Sequence, residues 1–130
     1  MRMLPMILLI PALAALPLDC AYAASDLEGN WSGTGYVMPK SGAREGVRCR
    51  VRYDKQSEKV FRVTATCAST ATKIVQTGEV IAVSGGRYAG DFYNAEYDIS
   101  GRVRVQVTGN HQTVTFSGTR GQGSLSLSKR

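Results

Sequence analysis

From Leu27 onward the apolar residues alternate with polar ones, and no stretch repeats them at helical spacing over three turns. Val47, Cys49, Val51 and Tyr53 take turns with Arg48, Arg50 and Arg52. Phe61, Val63, Ala65 and Cys67 take turns with Arg62, Thr64 and Thr66, and Val103, Val105 and Val107 with Arg102, Arg104 and Gln106. Val114 and Phe116 lie among threonines and a serine, and Leu125 and Leu127 among serines. Each segment has one face for a core and one for water, as in an antiparallel sheet wrapped around one interior. Turn-forming residues separate the segments at Pro39 to Gly46, Lys55 to Lys59, Gly85-Gly86, Ser100-Gly101, Gly109-Asn110 and Gly118 to Gly121. About eight strands result, over 30–37, 47–54, 60–67, 72–83, 87–93, 96–107, 112–117 and 123–128. Such spacing predicts a small barrel or sandwich.

One hairpin register can be read from charge. Cys49 opposite Cys67 also sets Val51 against Ala65, Tyr53 against Val63 and Asp54 against Arg62, with a loop centred on Ser57-Glu58-Lys59. A slip by one pair would set Arg52 against Arg62, a like-charge contact that costs stability.

The N-terminus follows a different pattern. Arg2 precedes an uncharged run from Met3 to Leu18, and Ala21-Tyr22-Ala23 supplies small residues for cleavage, so 1–23 reads as a signal peptide cut after Ala23. The run is short for a spanning helix and is interrupted by Pro5, Pro11 and Pro17. No transmembrane segment is expected in the mature chain, and the protein is expected in the periplasm or outside the cell. Cys20 raises lipid attachment, but Asp19 stands where that signal wants a small residue.

Cleavage would leave a single domain, 24–130, of 107 of the 130 residues. It removes Arg2 and Asp19, one charge of each sign, so the net charge stays +6. Of the 3 cysteines, Cys49 and Cys67 remain, an even pair that reads as one disulfide in an exported chain.

Leu27-Glu28-Gly29-Asn30-Trp31, an L-x-G-x-W, resembles the opening strand of the calycin barrels, the group of lipocalins, avidins and bacterial metalloproteinase inhibitors. The resemblance implies an all-β fold, a single antiparallel eight-stranded up-and-down barrel with Trp31 plugging one end. The disulfide and the terminal strand Gly123 to Arg130 look most like the bacterial proteinase-inhibitor and outer-membrane-antigen branch. In those inhibitors an N-terminal extension is thought to enter the protease cleft; a cut after Ala23 would leave only Ala24-Ser25-Asp26 before Leu27.

Chemistry for an enzyme is sparse. His111, the 1 histidine, follows Gly109-Asn110 in a turn with no nucleophile motif beside it. No clustered Cys and His suggest zinc, so neither a metal nor a cofactor is expected. Asp91, Glu96 and Asp98, interleaved with Tyr88, Phe92, Tyr93 and Tyr97, read as a solvated hairpin because no calcium-loop spacing is present. Asn30-Trp31-Ser32 has the form of a glycosylation acceptor, on a strand position poorly suited to a sugar.

The basic residues fall on strand faces. Arg48, Arg50, Arg52 and Arg62 point outward from adjacent strands, and Arg102 and Arg104 repeat the pattern. Guanidinium groups pair with phosphate and carboxylate, so in an exported protein they are candidates for anionic lipid or polysaccharide of the envelope rather than nucleic acid. The inward set, valines, alanines, leucines, cysteines and a few aromatics, predicts a closed core or a narrow apolar pocket without buried polar groups. Three functions follow: a non-enzymatic envelope protein with a binding or structural role, a proteinase inhibitor, and a small apolar-ligand carrier. The oligomeric state is not encoded in this pattern.

Overall fold

The computed structural model describes residues 27–130, together with Pro5, Pro11 and Ala12. The expected signal peptide 1–23, its cut after Ala23, Cys20 and the segment 24–26 lie outside the described residues.

Eight strands follow one another: β1 (Gly29–Pro39), β2 (Glu45–Lys55), β3 (Val60–Ala68), β4 (Lys73–Ser84), β5 (Arg87–Asn94), β6 (Ile99–Thr108), β7 (His111–Gly118) and β8 (Gly121–Lys129). Each pairs antiparallel with the next, and β1 closes on β8 from Trp31↔Lys129 to Pro39↔Gly121. Closure gives every strand a partner on both sides. The fold is the all-β, eight-stranded up-and-down barrel that the resemblance implies, one of the two architectures the strand spacing allows. The β2–β3 register is the expected one, with Cys49 facing Cys67 and Asp54 facing Arg62. Cys49 and Cys67 form the disulfide, with an S–S distance of 2.04 Å.

The two ends of the barrel differ. One end carries the start of β1, the β2–β3, β4–β5 and β6–β7 turns and the chain's C-terminus. Its interior is filled by Leu27, Trp31, Tyr53, Phe61, Val80, Tyr88, Val107 and Leu127, all buried. Trp31 has no exposed surface, and its indole N–H donates to the Leu27 carbonyl at 2.9 Å, which satisfies the one polar atom of the ring. Phe61 and Tyr88 meet edge to face at 5.6 Å. The other end carries the β1–β2, β3–β4, β5–β6 and β7–β8 turns, and its inward residues are smaller and only partly buried.

On β1 two inward positions are glycine because β8 passes too close for a side chain. A Cβ on Gly33 or Gly35 would collide with the Ser126 or Ser124 carbonyl oxygen.

One turn differs from the expectation. Ser100-Gly101 is not a break: both lie in β6, and Gly101 pairs with Phe92 on one side and Gly118 on the other. The β5–β6 turn comes earlier, where the Asn94 side-chain oxygen accepts from the Tyr97 N–H at 3.2 Å and Asp98 takes a φ of 50°. Gly101 serves close approach instead, since a Cβ there would meet the Ser117 carbonyl and the Phe92 ring. β6 accordingly starts at Ile99 rather than at 96.

Candidate functional site

Above the filled end the side chains stop meeting across the axis and leave a cavity of about 400 Å³. Its floor includes Tyr53, Val80, Val105 and Val114, and its walls Val51, Val63, Ala65, Cys67, Val103, Phe92 and Phe116. Phe92 and Phe116 stand edge to face at 6.4 Å. At the open end the lining reaches Val37, Pro39, Ser41, Ile99 and Arg120. The volume falls in the lower part of the roughly 300–1,000 Å³ common for small-molecule sites. The sequence reading allowed a narrow apolar pocket at most; the structure shows a cavity.

Two features of this interior were not expected, the first of them a buried polar group. First, Gln112 is 2 % exposed and points inward from β7. The Tyr53 hydroxyl, from across the barrel, donates to its Oε1 at 2.6 Å, while its Nε2 has no hydrogen-bond partner. Burial, and then the neighbouring Tyr88, push the Tyr53 ionisation far above the ordinary tyrosine range, so the hydroxyl stays protonated. The alternation that set Val114 and Phe116 inward sets Gln112 inward too, and this was the signal available in the sequence.

Second, the β4–β5 ladder is incomplete. Backbone pairing runs from Ser84↔Arg87 only as far as Gly78↔Phe92. Beyond it, side-chain amides hold the strands together. Gln76 Nε2 donates to the Tyr93 carbonyl at 3.0 Å, and Asn94 Nδ2 to the Val75 carbonyl at 3.4 Å. This seam borders the cavity through Gln76 and Gly78, and an outer depression lined by Arg62, Glu79, Asp91 and Tyr93 lies against it.

The candidate anion-binding arginines do not converge. Arg48, Arg50 and Arg52 stand in file along the outside of β2, facing Thr34, Ser32 and Asn30 of β1 and Ala68, Thr66 and Thr64 of β3. Arg52 also pairs with Asp54 at 3.0 Å. Arg62 lies between Asp54 and Glu79 in the ladders and so belongs to a belt of mixed charge. Arg102 and Arg104 are on β6, the opposite wall, where Arg102 approaches Asp91 at 3.8 Å with both side chains over four-fifths exposed. Such exposed pairs contribute about 0–1 kcal/mol each.

The remaining candidates are dispersed. His111 is exposed at the start of β7, with Nδ1 3.1 Å from the Ser128 hydroxyl. Asp91 is in mid-β5, whereas Glu96 and Asp98 lie in the β5–β6 turn.

No protein-family model matches this sequence, and no curated protein matches it. Among solved structures the barrel is similar to a redesigned β-barrel, mFAP1, bound to DFHBI, at 11 % identity over 80 % of this chain and 94 % of that one, TM-score 0.65. It is also similar to a de novo designed fluorescence-activating β-barrel, at 13 % identity over 79 % and 93 % of the two chains, TM-score 0.61. These likenesses carry the eight-stranded architecture. No family match carries the resemblance on to the proteinase-inhibitor and outer-membrane-antigen branch.

Proposed function

We propose that this protein is a binding protein, not an enzyme, which holds a small apolar molecule inside its barrel after export to the periplasm or beyond. The observation that carries the reading is the cavity of about 400 Å³, walled by valines and phenylalanines and reaching the open end. Each methylene moved from water into such a space contributes about 0.8 kcal/mol, and a preformed barrel spends little of that on rearrangement. Three of the similar barrels are bound to the small molecule DFHBI, which supports the same use of the architecture here.

Titration with the neutral dye N-phenylnaphthylamine tests the proposal. Saturable, blue-shifted fluorescence is expected from the wild type. Ala65→Phe, which fills the cavity from its wall, should abolish it while leaving the circular dichroism unchanged. A wild type that gives no saturable enhancement refutes the proposal.

The β2 arginines support a second reading, contact with an anionic envelope surface, because Arg48 and Arg50 face only hydroxyls and an alanine across both ladders. Co-sedimentation with vesicles of anionic phospholipid should then weaken as salt is added. Binding that is absent at low salt removes this reading.

A further inference from the structure

The cavity's polarity is uneven, and the unevenness selects a class of ligand. Away from the β4–β5 seam, where Gln76, Thr77 and Glu79 line it, its walls are apolar to the floor, and the hydroxyl of Tyr53 already donates to Gln112. An ionised ligand group placed deep would therefore be buried without a countercharge. A polar head must sit at the open end. There Ser41 and Arg120 line the cavity from the β1–β2 and β7–β8 turns. The two turns touch: the Lys40 backbone N–H donates to the Arg120 carbonyl at 3.1 Å, which sets a second cation in the adjoining turn.

Arg120 is exposed, and no carboxylate among the described residues lies within ion-pair distance of it. Arg44, next along the β1–β2 turn, is turned away with its guanidinium stacked on Tyr36 at 3.6 Å. Glu45, Glu96 and Asp98 are at the same end but none of them lines the cavity. Glu79 does line it, at the seam, where it stands beside Arg62 in the β3–β4 ladder.

We infer that the ligand is a single-chain amphiphile with an anionic head, its chain in the cavity and its head held at the open end by Arg120, with Lys40 adding to the local positive charge. This rests on the cavity reading above and adds the charge, orientation and seat of the ligand. A carboxylate or a phosphate monoester satisfies the same guanidinium, which offers paired N–H donors to either.

Displacement of N-phenylnaphthylamine by decanoate, decyl phosphate and decanol at mildly alkaline pH separates the outcomes. In the wild type at least one of the two anions should displace the dye at about fivefold lower concentration than decanol, as expected for an exposed ion pair worth about 1 kcal/mol. Comparison of decanoate with decyl phosphate identifies the preferred head. Arg120→Gln should erase the advantage and Arg120→Glu should reverse it, the advantage being read in each variant as the ratio of anion to decanol displacement, so that a change in dye affinity cancels. Dye binding without any preference for an anion, or a preference indifferent to Arg120→Glu, overturns the inference and leaves the cavity reading intact. Failure of the wild type to bind the dye overturns both.

Discussion

The Tyr53–Gln112 pair makes the stability of the barrel depend on one unpaired amide. Tyr53 is 1 % exposed and Gln112 2 %, so both side chains are buried. Their 2.6 Å hydrogen bond contributes about 1 kcal/mol net, whereas a buried donor without a partner, as Gln112 Nε2 is, costs about 1–3 kcal/mol. Tyr53→Phe removes the bond and leaves both ends of the amide unpaired, and should destabilise by about 2–3 kcal/mol. Gln112→Leu removes the unpaired donors and leaves a single hydroxyl beside the cavity, and should stay within about 1 kcal/mol of wild type. The double substitution removes every polar atom of the pair and should be about 1 kcal/mol more stable than wild type. The coupling energy of the cycle is then about 3 kcal/mol. Urea unfolding with the disulfide intact, followed through Trp31 fluorescence, measures all four proteins. A double variant as unstable as Tyr53→Phe refutes this reasoning, since it would mean that the amide N–H groups are satisfied in the native state.

Two further outcomes follow from the same interior. The fold favours the protonated form of Tyr53, whose ionisation is pushed up first by burial and then by Tyr88. Its stabilisation is complete below the ordinary tyrosine value of about 10 and is lost as pH rises above it, because the unfolded chain then releases a proton that the native state keeps; urea unfolding should show that loss in the wild type and less of it in Tyr53→Phe, and parallel curves would place the cause elsewhere. The Cys49–Cys67 bridge spans 18 positions of sequence, and replacing both cysteines by alanine should cost about 3 kcal/mol, seen as a melting temperature lower by on the order of 10–20 °C; an unchanged melting temperature would contradict it.

Much of the fold was legible because alternation fixes which face each residue takes, and a one-residue slip would expose the core. Val47, Cys49, Val51 and Tyr53 face inward as the pattern requires, and the charge pairing of Asp54 with Arg62 identified the β2–β3 register. Gly101 was misread because glycine marks a turn and a close strand approach with the same letter; the neighbouring Ser117 carbonyl that distinguishes them belongs to another strand. The cavity was not legible, since its volume is the gap left by side chains from separate strands after closure. Arg120 was passed over for the same reason: in a turn such as Gly118 to Gly121 an arginine reads as solvated, and only the barrel's geometry sets it at the cavity's edge.

Packing and cavity are separated along the barrel axis, and the inward residues show how. At the filled end Trp31, Tyr53, Phe61 and Tyr88 meet across the interior and exclude water, supplying apolar burial that a domain of this size needs. Toward the open end the same alternation presents Gly35, Val37, Ala65, Gly78 and Gly101, which are too small to meet. The β4–β5 ladder gives way to side-chain amides on this side as well, past Gly78↔Phe92. Two amide contacts replace a run of backbone bonds there, so the seam has the least backbone pairing of any junction in the barrel's wall. Local opening concentrates where backbone pairing is sparse. A wall sparsely paired beside the cavity, and not beside the aromatic plug, can loosen without disturbing the packing that keeps the barrel closed.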